Sequence, residues 1–202
     1  NTNCEFKLKF SSSEKIAKEM LAFANTKGGY IIFGVDDSKK IVGVESEKSE
    51  AELIKDVAEN YCVPPINFNF QFIAIEGKEL VIVEVLESKN KPHKLQDYEN
   101  HFDINKAEVY IRTNNKSVQA SKEMIKLMQA DTNKMSLINY RIGNIEKRVF
   151  DYLNTNELIT VNELSEIANI SQRRASRTLI KMVRAKLLII HTKDNGADYF
   201  TL

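Results

Sequence analysis

Cysteine is scarce in this chain of 202 residues: only Cys4 and Cys62 occur. Two thiols are too few for a disulfide scaffold, and without a Cys-x-x-Cys pair they do not form a zinc site, so both read as inert. Proline and glycine are also sparse, at three and seven. That excludes collagen-like repeats and, with 43% hydrophobic residues, disorder. Long apolar runs are missing. The strongest, Leu80-Val81-Ile82-Val83, falls far short of the roughly 20 residues of a membrane-spanning helix, and no signal segment opens the chain. The composition is that of a cytoplasmic protein without membrane contact. The chain begins at Asn1 with Glu5 already in a strand-like run, which points to residues upstream.

A net charge of either sign is absent too, the total being +1. That balance conceals an asymmetry. From Arg141 onward ten basic residues face seven acidic ones, whereas the first 140 residues carry nineteen against twenty-one. Residues 171–186 hold six of the ten and no carboxylate. A stretch of one sign is the footprint of a nucleic-acid contact.

The hydrophobic periods describe an α+β chain. Residues 5–10 alternate as a strand does, and Ser11 with Glu14 has capping-box spacing before a helix carrying Ile16, Met20, Phe23 and Ala24. Gly28 is its expected C-cap. Residues 30–35 and 41–44 read as a hairpin around a polar turn. Ser49 with Glu52 opens a second helix that Pro64-Pro65 ends. Strands are expected at 66–76 and 78–86 around Gly77 and at 108–112, then a short helix from Ser121. Residues 87–107, with Pro92, His93 and His101, read as a long exposed loop. A linker at 130–140 separates domains at 1–129 and 141–202.

The tail carries three helices and a hairpin. Ile142, Ile145, Val149 and Leu153 mark the first helix, and Thr160 with Glu163 caps the second. Ser171 caps the third, on which Ala175, Leu179, Met182 and Val183 share one face, while Arg173, Arg177, Lys181 and Arg184 share the other. Two strands then flank Asp194-Asn195-Gly196. This is the order of a winged helix-turn-helix, whose third helix enters the major groove of duplex DNA. Gln172, Arg173, Arg174, Ser176 and Arg177 occupy its base-reading end, with Lys181, Arg184 and Lys193 placed for phosphates.

The segments Glu5-Phe6-Lys7, Ala22-Phe23-Ala24-Asn25-Thr26-Lys27-Gly28-Gly29, Phe33-Gly34-Val35-Asp36-Asp37 and Ile41-Val42-Gly43-Val44 resemble the Schlafen AlbA-like domain. Val109-Tyr110-Ile111-Arg112-Thr113-Asn114-Asn115 resembles its closing strand, so the likeness spans about residues 5–128. It implies a mixed-sheet domain, followed in bacterial members by a winged helix, and a DNA-binding regulator; a homodimer is expected because major-groove readers commonly pair on palindromic operators. Some members of the family are metal-dependent endoribonucleases that use three carboxylates. Glu5 and Asp37 match two of them, and the third would lie upstream of Asn1. That alternative would take structured RNA and Mg²⁺ or Mn²⁺; the regulator requires no cofactor. Gly28-Gly29 lacks the spacing of a phosphate-binding loop, so no nucleotide hydrolysis is expected, and the ATPase-like segment of larger relatives is lacking. The Asn25–Gly28 stretch itself serves as a helix stop. Lys7, Lys94, Arg112 and Lys116 are further candidate phosphate contacts, Arg112 having a salt bridge as its alternative.

Overall fold

The computed structural model describes residues 3–132 and 140–202. Contacts divide the chain into Asn1–Ala120 and Ser121–Leu202. Residues 133–139, most of the expected linker, lie outside the described ones.

In the first unit β1 (Cys4–Lys7), α1 (Ser13–Asn25) and β2 (Gly29–Phe33) form a crossover that leaves β1 and β2 parallel. The N-cap of α1 is Ser12 rather than Ser11: Ser12 Oγ accepts from Lys15 N–H, and Glu14 turns outward to Lys18 at 2.6 Å. A second helix, α2 (Glu47–Asp56), begins at the N-cap Ser46, three residues before the expected Ser49. It widens into a π-helical turn, Val57–Tyr61, before β3 (Cys62–Val63). β4 (Phe68–Ile75) and β5 (Lys78–Val85) make a hairpin whose two-residue turn, Glu76-Gly77, has positive φ at both positions (51° and 74°). That turn matches the twist of the flanking strands.

The sheet order is β1-β2-β5-β4, with β5 antiparallel to both neighbours. The expected hairpin of 30–35 with 41–44 does not form. Both edges of β2 are taken by β1 and β5, so residues 41–44 keep one bridge, Val35 to Ile41, and Val42 and Gly43 both donate to Gly34 O at 2.9 Å. The apolar faces of α1 and the sheet meet in a core of Ile16, Met20, Phe23, Ile31, Phe33, Val81 and Val83.

Residues 87–107 are not wholly an exposed loop. β6 (Lys94–Leu95) pairs with β3, and His93 is buried. β7 (Tyr110–Thr113) pairs with β8 (Lys116–Gln119) and packs on α1. The buried Asn25 side chain, at the end of α1, holds these pieces together: its Nδ2 donates to His93 O (2.8 Å) and Tyr110 O (3.0 Å), and its Oδ1 accepts from His93 N–H (2.7 Å). Next to it Thr26 Oγ1 accepts from Arg112 N–H at 2.9 Å. Gly28 has φ +71° and lies so close to β5 that a Cβ there would stand 2.7 Å from Val85 O.

The second unit comprises α3 (Lys122–Thr132), α4 (Asn144–Leu153), α5 (Val161–Ala168), α6 (Gln172–Arg184) and the hairpin β9 (Ile189–Thr192) with β10 (Asp198–Thr201). The capping box of Thr160 with Glu163 and the N-cap Ser171 are those the sequence predicts. Asn169 ends α5 in the left-handed conformation, φ 51°, which turns the chain into α6. Val149, Leu153, Leu164, Leu179, Met182 and Phe200 form its core.

Asn25→Ala leaves two carbonyls and one N–H buried without partners, so we expect a loss of about 3 kcal/mol or more, read from urea unfolding. A second expectation concerns pH. Burial pushes the His93 imidazole below its ordinary 6.5, against the opposing hydrogen bond to Pro64 O. The unfolded chain therefore takes up a proton before the folded one does, so this contribution is complete above pH 6.5 and lost as the pH falls below it. The wild-type urea midpoint should drop as the pH falls below 6.5, and drop less in His93→Gln.

Candidate nucleic-acid interface

Helix α6 has three faces. One, with Ala175, Leu179 and Met182, enters the core of the second unit. A second is covered by α3, where Ser176 Oγ donates to Glu123 at 2.5 Å and receives Lys126 Nζ at 3.3 Å. The third carries exposed Gln172, Arg173, Arg174, Arg177 and Lys181. It forms a wall of a groove of about 950 Å³, whose other wall includes Arg141 and the first turn of α4.

Five cations therefore line one concave surface, and the acid beside them is already committed. The Glu146 carboxylate accepts from Tyr140 Oη (2.8 Å) and from Gly143 N–H (3.0 Å), closing the N-terminus of α4. Burial and that carboxylate together push the Tyr140 hydroxyl above its ordinary value, so it remains the donor. Gln172 Nε2 donates to Asn162 Oδ1 at 3.0 Å, tying α6 to α5. Lys193 is exposed on the hairpin, its Nζ 5.5 Å from the Tyr199 ring, which itself stacks on His191 at 4.9 Å.

Two residues expected at this surface are placed elsewhere. Ser176 is 4% exposed and faces α3, because the periodicity of α6 alone does not show which of its polar positions another helix covers. Arg184 is half-buried, with its Nε shielded from solvent, and stands apart from the groove. Arg141 was not singled out in the sequence, since it precedes the first helical turn and only the fold brings it opposite α6.

The first unit uses most of its candidate cations internally. Arg112 Nη2 binds Glu5 Oε2 at 2.7 Å and Nη1 binds Glu19 Oε2 at 3.1 Å, with the guanidinium 4.8 Å from the Phe23 ring. Lys7 Nζ binds the same two acids, at 2.9 Å and 3.5 Å. Two cations and two carboxylates thus form a closed network, in which Glu19 was not foreseen. Burial pushes the Glu5 carboxyl up, but the hydrogen bonds from Lys7 and Arg112 outweigh it and hold it below its ordinary value. Neither Arg112 nor Lys7 is offered to a phosphate backbone. Lys94 is 4% exposed and paired with Asp97, so it is not offered either. Lys116 is exposed at the start of β8.

Asp37 lies on an exposed turn organised by Asp36, which accepts from Ser38 Oγ (2.7 Å) and Lys40 N–H (2.9 Å). Among the described residues no group of three His, Cys, Asp or Glu side chains could hold a metal ion. With both Glu5 oxygens taken by cations, Glu5 and Asp37 as placed do not fit the Mg²⁺ or Mn²⁺ of a nuclease. His93 is built into the fold, its Nδ1–H donating to Pro64 O at 2.7 Å and its Nε2 accepting from Ser88 Oγ at 2.6 Å. No described helix is long and apolar enough to cross a membrane.

Similar proteins are known. An uncharacterized ATP-binding protein of Ureaplasma parvum is 37% identical over 86 residues, which are 40% of this chain and 24% of that protein. The match thus covers about a quarter of the length of that curated relative. Among solved structures, the N-terminal domain of an ATP-dependent DNA helicase RecG-related protein from Nitrosomonas europaea is 21% identical, with a TM-score of 0.43 over 56% of this chain and 79% of that one. The DIP2311 protein from Corynebacterium diphtheriae is 15% identical, with a TM-score of 0.46 over 64% of this chain and 24% of that one. The family described as Schlafen, AlbA_2 matches residues 1–121, more than half of the chain, and the protein belongs to that family.

Proposed function

We propose that residues 141–202 form a winged helix-turn-helix that binds duplex DNA, and that the protein is a cytoplasmic transcriptional regulator acting as a homodimer. The observation that carries this reading is the groove of Arg141, Arg173, Arg174, Arg177 and Lys181 along the exposed face of α6, where Glu146, the one lining acid among the described residues, is bound to Tyr140 and Gly143. Such a surface attracts a polyanion and releases its counterions.

The order α4, α5, α6, hairpin is that of a winged helix, and the left-handed Asn169 supplies the tight turn before the third helix. In the major groove Gln172, Arg173, Arg174 and Arg177 stand at the end of α6 that meets base edges. Arginine can hold guanine O6 and N7 with two donors, and glutamine can hold adenine N6 and N7. Lys181, Arg141 and Lys193, on the wing, face phosphates and set the register without reading sequence. The AlbA-like domain supplies dimerisation or further nucleic-acid contact. A two-fold dimer would present two α6 helices to the half-sites of a palindromic operator.

Fluorescence anisotropy with mixed-sequence duplex DNA tests this reading. We expect binding that weakens steeply with salt. An Arg173/Arg174/Arg177→Ala variant should lose roughly 100-fold or more in affinity and show a shallower salt dependence, at about 1–3 kcal/mol per arginine contact. Its thermal stability should stay close to that of the wild type, since the three side chains are exposed. Equal binding by variant and wild type, or ready displacement of the duplex by structured RNA, would overturn the proposal.

A further inference from the structure

The two edges of the main sheet differ. β1 is four residues long and carries Glu5 and Lys7, both bound into the ion network. β4 is eight residues long, Phe-Asn-Phe-Gln-Phe-Ile-Ala-Ile, without one charge, and among the described residues β5 is its sole neighbour in the sheet. Phe72, Ile73 and Ile75 are 49%, 39% and 37% exposed. Sheet proteins ordinarily blunt a free edge with charge, proline or a bulge, and a long apolar edge is a template for another strand.

Which backbone groups face outward follows from the ladder. Leu86 N–H donates to Asn67 O, and the Glu76-Gly77 turn closes on the pair of Ile75 with Lys78. The backbone groups of the odd-numbered residues therefore point to β5, and those of Phe68, Phe70, Phe72 and Ala74 point to the open edge.

The surroundings are self-complementary. A cleft of about 420 Å³ between β4 and α2 has Phe70 and Phe72 as its apolar side chains, and α2 lines it with Glu47, Lys48, Ala51, Glu52 and Lys55. The charges run acid, base, acid, base. A two-fold axis that reverses the order sets Glu47 against Lys55 of the other copy and Lys48 against Glu52. Lys55 now stands 3.8 Å from Glu59 in an exposed pair, which leaves it available.

We propose that β4 pairs antiparallel with β4 of a second copy of this chain about a two-fold axis at Gln71, joining two four-stranded sheets into one of eight strands. This rests on the homodimer reading above and names its interface. Phe70 then lies opposite Phe72 of the other copy, twice, in hydrogen-bonded pairs, and Gln71 lies opposite Gln71 in a non-hydrogen-bonded pair. Because the β1 edge is short and charged, the pairing closes as a dimer rather than propagating as a filament.

The test uses the full chain. In this register the two Gln71 Cα atoms stand about 4.5 Å apart, within disulfide reach, whereas the two Asn69 Cα atoms stand about 14 Å apart. Light scattering should give twice the chain mass. Gln71→Cys should cross-link under mild oxidation, with Asn69→Cys and the wild type remaining uncross-linked. Phe72→Lys should run as a monomer with unchanged far-UV dichroism. A dimer in which Gln71→Cys fails to cross-link and Phe72→Lys stays dimeric places the interface elsewhere and overturns the inference alone. A wild-type monomer at 100 µM overturns the homodimer reading and the inference with it.

Discussion

The carboxamide of Asn25 is the interaction on which the first unit depends. It is one side chain at the end of one helix, yet it binds His93 and Tyr110, which are 68 and 85 residues away. Through it a single side chain ties the segment after β5 to the β7–β8 hairpin. The neighbouring residues extend the tie. Thr26 holds the backbone of Arg112, which lets the guanidinium reach Glu5 on β1 and Glu19 on α1. Gly28 permits the sharp turn into β2, because no side chain fits against Val85. The Asn-Thr-Lys-Gly-Gly stretch thus acts in this chain as a structural joint between helix, sheet and hairpin.

The two units use charge in opposite ways. In the first, Lys7, Lys94 and Arg112 meet carboxylates within the fold, and burying such cations is tolerable because each is paired. In the second, Arg173, Arg174 and Arg177 face outward beside an acid that is already hydrogen-bonded. A total near neutrality is consistent with both arrangements. What separates them is where each of these charges is held: the arginine groove of the second unit presents its positive charge to a polyanion.

The parts of the fold legible in the sequence are those set by local rules. Thr160 with Glu163, Ser171 and the Gly77 turn are fixed within a few residues, and each forms where expected. Apart from the N-caps of α1 and α2, which sit one and three residues from their expected places, the misreadings involve distant partners. The 30–44 hairpin fails because β5, some fifty residues on, takes the free edge of β2. His93 is buried because Asn25 and Pro64 receive it, at separations of 68 and 29 residues. Arg112 is withdrawn by Glu19, 93 residues away, and Ser176 by Glu123, 53 residues away. For the candidate site, the basic stripe was legible because helical periodicity sorts faces without outside help. Arg141 was not, since its place depends on how α4 meets α6.

The central claim is that α6 and the hairpin, rather than the ion network of the first unit, meet nucleic acid. An amide-resolved NMR titration of the whole chain with mixed-sequence duplex DNA tests it most directly. The account predicts that the backbone amides of Gln172 to Lys181, with those of Arg141 and Lys193, shift most, while the amides around Glu5, Glu19 and Arg112 stay in place. Shifts confined to the first unit, with α6 unmoved at saturating duplex, would contradict it.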